Sequence, residues 1–92
     1  MTNVIATLKI MPTSPEVDLS KLTGEIQKHI LEFAGEGETK VTEEPIAFGL
    51  KALNIIFIMD EALGSPDALE ETIKGLEGVQ SVEVTDVRRA IG

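Results

Sequence analysis

The chain has 92 residues, a formal net charge of −8 and 42% hydrophobic side chains, enough apolar content for one small folded domain and too much for a disordered segment. It has no cysteine, which excludes disulfides and thiolate chemistry and points to a reducing compartment. Sixteen acidic against eight basic side chains would repel a phosphate backbone, and no apolar run reaches the roughly 20 residues of a bilayer span, so a soluble cytoplasmic protein is expected.

Asn3 to Ile10 alternate, with Val4, Ala6, Leu8 and Ile10 on one face; a period of two is a strand. "MPTSPEVD" then breaks it with two prolines. From Asp18, an expected N-cap, apolar residues fall at Leu19, Leu22, Ile26, Ile30 and Phe33, one helical stripe that Gly35 can terminate. A second strand is expected from Lys40 to Phe48, at a sheet edge because Pro45 lacks a ladder donor. Lys51 to Asp60 form a third strand, apolar on both faces and therefore central. Ser65 as N-cap and Pro66 in the first turn open a second helix with the stripe Leu69, Ile73 and Leu76, ending at Gly78. "VQSVEVTDV" is the last strand, alternating at Val82 and Val84, and an Arg88-Arg89 tail follows it.

The order strand, helix, strand, strand, helix, strand is that of the ferredoxin-like βαββαβ plait, an α+β fold with two helices on one face of a four-stranded antiparallel sheet. That fold hosts many activities, so function must be argued from sites.

Most of those activities lack their residues here. The lone histidine, His29, lies beside the first helical stripe and reads as a boundary packing residue; with no cysteine, no Cys–His pair can form. "GEGE" at 35–38 follows a helix instead of opening one, so it is a cap and a turn, not a phosphate cradle. Glu43 and Glu44 are adjacent in a strand and point to opposite faces, which prevents joint acid–base work. Base stacking on RNA would need aromatics on the open sheet face, and Phe57 falls on the core face instead. An acylphosphatase-like loop would need glycine and arginine after the first strand, where the chain has "MPTSPEVD". No cofactor and no metal are expected.

Two features remain. Ile5, Ile56 and Ile58 should share the open face of the sheet, either as an interaction surface or as scattered surface isoleucines. Phe48 stands at a strand-to-strand turn among Pro45, Ile46 and Leu50, as a plug for the core's end or as an anchor for a partner. One functional class these support is a small-molecule-sensing regulatory module that dimerises through its open sheet face.

A second class comes from resemblance. Pro45 to Leu53 read "PIAFGLKAL", and Val79, Gln80 and Ser81 read "VQS". The chain thereby resembles the guanine nucleotide exchange domain of the translation elongation factor 1-beta family, which carries Pro-Ile-(Gly/Ala)-Phe-Gly-(Ile/Leu)-Lys-x-Leu and Val-Gln-Ser at these places. The match follows the whole element order, and the absence of an N-terminal extension is similar to the short archaeal form, a single exchange domain over residues 1–92. The resemblance implies a partner, the GTPase elongation factor 1-alpha, and GDP release followed by GTP rebinding. It implies no covalent chemistry of the chain's own, no direct nucleic acid or membrane contact, and a monomer when free. It implies partner-binding roles for Ile46, Phe48, Gln80, Ser81, Arg88 and Arg89. In eukaryotic members a C-terminal lysine followed by one apolar residue disturbs the GTPase's magnesium and phosphate site; these positions fall on Arg89 and Ala90. Here arginine replaces lysine, Arg88 precedes it, and Ile91 and Gly92 extend the end.

Overall fold

In the computed structural model, residues 3–35, 37, 39–64 and 66–89 are described. Strand β1 (Asn3–Pro12) buries every second side chain, Val4 through Ile10, as its alternation requires, and runs two residues past the expected end. Helix α1 (Leu19–Ala34) begins at Asp18, whose carboxylate accepts the Lys21 N–H at 3.2 Å. It buries Leu22, Ile26 and Ile30, with Leu19 and Phe33 packed at the margin. Gly35 ends it at φ 79°, ψ −173°, a backbone region open essentially to glycine alone. Glu36 and Glu38 of the "GEGE" turn lie outside the described residues.

Strand β2 (Thr39–Pro45) stops three residues short of the expected Phe48. Pro45 is opposite Lys51, the last pair of the ladder. The next backbone bond is Ile46 N–H to the Leu50 carbonyl at 2.7 Å. Between them Ala47–Gly49 make one 3₁₀ turn. Phe48 and Gly49 both have positive φ, which a strand cannot accommodate. Strand β3 (Lys51–Asp60) follows, and a 3₁₀ turn at Glu61–Leu63 is fixed by the Asp60 carboxylate accepting the Ala62 N–H at 2.8 Å.

Helix α2 is Asp67–Lys74, with Pro66 at the capping position instead of in the first turn; Ser65, the expected cap, lies outside the described residues. The helix ends at Gly75, not Gly78. The Gly75 N–H is shared among the carbonyls of the last turn, and the chain then leaves helical geometry, although Leu76 still packs on the core. Strand β4 (Val79–Arg89) continues two residues past Val87, so the two arginines are strand residues and not a tail.

The strands form one antiparallel sheet ordered β2-β3-β1-β4. This is the ferredoxin-like plait: β3 is central, as its two apolar faces require, and Pro45 is on an edge strand. The core lies between the sheet's inner face (Leu8, Ile10, Leu53, Ile55, Phe57, Met59) and the two helices.

Candidate functional site

At one end of the sheet the β2–β3 turn projects Phe48. Its side chain is 92% exposed, and its backbone sits at φ 65°, ψ 28°. Both facts are unfavourable for a phenylalanine. Left-handed geometry costs a non-glycine residue roughly 1 kcal/mol or more, and an aromatic ring gains nothing from water. The plug reading is excluded, because the ring covers no core. Ile46 is half-buried at the base of the same turn, and the turn leans toward the loop after β1: a Cβ on Gly49 would lie 4.0 Å from Pro15.

Gln80 and Ser81 are exposed at this same end of the molecule but on β4, beyond β1. Pro12 pairs with Val79 and Met11 with Ser81, so Gln80 is an extra residue in the ladder. A second irregularity places Leu8 opposite Val84 and Thr7 opposite Asp86, leaving Thr85 as the bulge. The Thr85 hydroxyl donates to the Thr7 carbonyl at 3.4 Å.

The arginines lie at the other end. Ten residues of β3 separate the Phe48 turn from the Glu61 turn, about 30 Å at 3.3 Å per residue. Arg88 pairs with Ile5 and Arg89 with Val4. Directly paired residues share a face. Arg88 therefore belongs to the open face and Arg89 to the inner face, at its rim. Arg89 Nη2 is 2.7 Å from Glu61 Oε1, and Arg88 Nε is 2.7 Å from Asp86 Oδ2. Both guanidinium groups remain about three-quarters exposed.

Ile5, Ile56 and Ile58 do meet on the open face: Ile5 pairs with Ile58, and Ile56 is one step along, opposite Thr7 and Lys40. Arg88 borders this triad through its pairing with Ile5. The structure thus brings Phe48 and Ile46 together, sets Gln80 and Ser81 at the same end of the sheet, and separates all four from the arginines. Sequence reading missed Glu61 and Asp86 as the arginines' partners. No spacing signals Glu61, which is 28 positions from Arg89. The Thr85 bulge did leave a trace, since Val84 and Val87 are an odd number apart and cannot share a face in a regular strand.

Among the described residues no group of three or more His, Cys, Asp or Glu could hold a metal ion, and no helix is long and apolar enough to cross a membrane. A family model described as the EF-1 guanine nucleotide exchange domain matches residues 5–90. The chain belongs to that family. It is 53% identical over 89 residues to elongation factor 1-beta of Methanothermobacter thermautotrophicus, covering 97% of this chain and 98% of the relative. It is 51% identical over 90 residues to elongation factor 1-beta of Methanobrevibacter smithii, with the same coverage. Among solved structures the de novo designed protein Foldit4 matches with a TM-score of 0.63 at 19% identity, over 98% of both chains; that likeness concerns the fold alone. Family membership gives the chain an exchange-factor role in translation elongation.

Proposed function

We propose that the chain releases GDP from elongation factor 1-alpha so that GTP can rebind, holding the GTPase with Phe48 at one end of the sheet and acting on its magnesium and phosphate site with Arg88 and Arg89 at the other. The observation that carries this reading is Phe48, an aromatic side chain kept in water on a strained backbone. A fold tolerates that arrangement where the ring serves a partner's pocket. Ile46 supports the turn, and Gln80 and Ser81 extend the contact across the same end of the sheet.

The arginines fit the second half of the task. A GTPase holds GDP through magnesium and a phosphate cradle. A guanidinium brought close repels the metal, competes for its acidic ligands and pairs with phosphate. It does so as a planar fork of donors and not as the compact point charge of lysine, so its geometry at the site differs from that implied for eukaryotic members. By linkage the factor and the nucleotide must weaken each other's binding equally. The rest of the interface supplies that energy, which is why the docking end matters as much as the acting end. The acidic body, at net charge −8, favours a basic partner surface.

The test is release of a fluorescent GDP analogue from purified elongation factor 1-alpha. The full chain should accelerate release, and Arg88→Ala combined with Arg89→Ala should lower the maximal rate by about tenfold, or 1.4 kcal/mol, while binding to the nucleotide-free GTPase survives. The double substitution is a cleaner probe than truncation after Val87, because it keeps the backbone of residues 88 and 89 that pairs with Ile5 and Val4. No acceleration by the full chain would overturn the reading.

A further inference from the structure

The two adjacent arginines are held in different ways. Arg88 is paired with Asp86, two residues away on its own strand and on the same open face. Arg89 is paired with Glu61, which belongs to a different element. Two local devices bring Glu61 and Arg89 together. The first is the Thr85 bulge. Without it, the alternation set by Val82 and Val84 would put Arg88 on the inner face and turn Arg89 to the open one; the extra residue reverses that phase. The second is the Asp60 carboxylate, which accepts the Ala62 N–H at 2.8 Å and folds the chain after β3 into the short turn that carries Glu61.

We infer that Glu61 is a positioning residue for exchange: its carboxylate fixes the guanidinium of Arg89 so that the remaining donors of the fork are presented at the end of β4. This rests on the exchange reading above. An arginine at a strand end otherwise samples many rotamers, and holding a planar donor fork in one of them matters most when it must meet a fixed anionic site. One Nη of Arg89 is engaged by Glu61, and a guanidinium has five N–H donors, so most of the fork is left for the partner. Among the described residues Arg88 is met by Asp86, a neighbour on its own strand, whereas Arg89 is tied to a second element of the fold.

The experiment compares the parent chain with Glu61→Ala, Glu61→Gln, Arg89→Ala and Glu71→Gln in the GDP-release assay, over a range of factor concentrations. Glu71 is an exposed carboxylate on α2 and controls for loss of one negative charge. Glu61→Ala should lower the maximal rate about threefold to fivefold, the range open to an exposed ion pair, without changing the half-saturating concentration. Glu61→Gln keeps an oxygen acceptor and should fall between it and the parent; Glu71→Gln should match the parent. Equal melting temperatures exclude a fold defect. If Arg89→Ala loses rate while Glu61→Ala keeps it, the positioning role is wrong and the exchange reading stands. A faster Glu61→Ala, or an effect confined to the half-saturating concentration, also overturns it. No acceleration by the parent removes both.

Discussion

Phe48 is a residue the fold does not need: its ring is 92% exposed and its φ is 65°, so the fold gains little from the side chain and is strained by its Cβ. Phe48→Gly removes both ring and strain. The relief, roughly 1 kcal/mol, is partly offset by the greater entropy glycine has in the unfolded chain, so this variant should melt no lower than the parent. Phe48→Ala keeps the strain and should melt within about 0.5 kcal/mol of it, as surface substitutions do. Both should weaken binding to nucleotide-free elongation factor 1-alpha by about 2 kcal/mol or more, the scale of a buried aromatic anchor. Melting curves and a binding titration on the same samples check this. A large loss of stability in Phe48→Gly would mean that the ring packs on the chain itself, against the geometry.

At the scale of elements, glycines where the chain reverses carry different loads. Gly78 turns the chain from α2 into β4 at a φ of 92°, and a Cβ there would lie 3.2 Å from Val17 Cγ1. Gly64 has a φ of 80° but open space around it. Both Gly64→Ala and Gly78→Ala should cost roughly 1 to 3 kcal/mol of backbone strain, and Gly78→Ala about 1 kcal/mol more from the crowded Val17 contact; urea unfolding of the two variants measures the difference, and a Gly78→Ala no costlier than Gly64→Ala would count against the Val17 contact. The same elements show how far the sequence could be read. α1 was legible because one helical stripe runs through it between Asp18 and Gly35, and β3 because it is apolar on both faces after Gly49. β1 was legible from its period of two, but its pairing continues through Pro12, where the prolines had signalled a break. The end of β2 was not, because "PIAF" remains apolar while its backbone turns left-handed at Phe48, a choice no propensity signals. The end of α2 was misplaced because Leu76 continues the helical stripe although the chain has already left the helix. At the candidate site the place of Phe48 on a strand-to-strand turn was visible and the phase of the arginines was not. The alternation of Val82 and Val84 continues into Asp86 and Arg88 unless Thr85 is counted as an extra residue, and only the odd spacing to Val87 records that it should be. The Arg89–Glu61 pair depends on that bulge and on a turn 28 residues away, so no local pattern contains it.

For the whole molecule the decisive fact is separation. The long axis is 42 Å, Phe48 is at one end of the sheet, and the arginines are at the other, about 30 Å away along β3. A partner touched by both must span most of the domain, and the two contacts then have separable tasks. On the proposed reading, Phe48 would add binding energy whether or not GDP is present, and the arginines would act only where the nucleotide is held. Uniform binding changes the concentration at which the factor works, whereas binding that opposes the nucleotide changes the rate at saturation. Phe48→Ala should accordingly raise the half-saturating concentration with little change in maximal release rate, and the Arg88→Ala, Arg89→Ala pair should do the reverse. Sites this far apart with no shared partner residues combine additively to within about 0.5 kcal/mol. The triple variant should thus show both defects side by side, each at its original size. Steady-state GDP release and equilibrium binding of the parent, the Phe48 variant, the arginine variant and the combination complete the cycle. A coupling well above 1 kcal/mol would mean that the two ends act on one element of the GTPase, and that docking at Phe48 is itself part of nucleotide release.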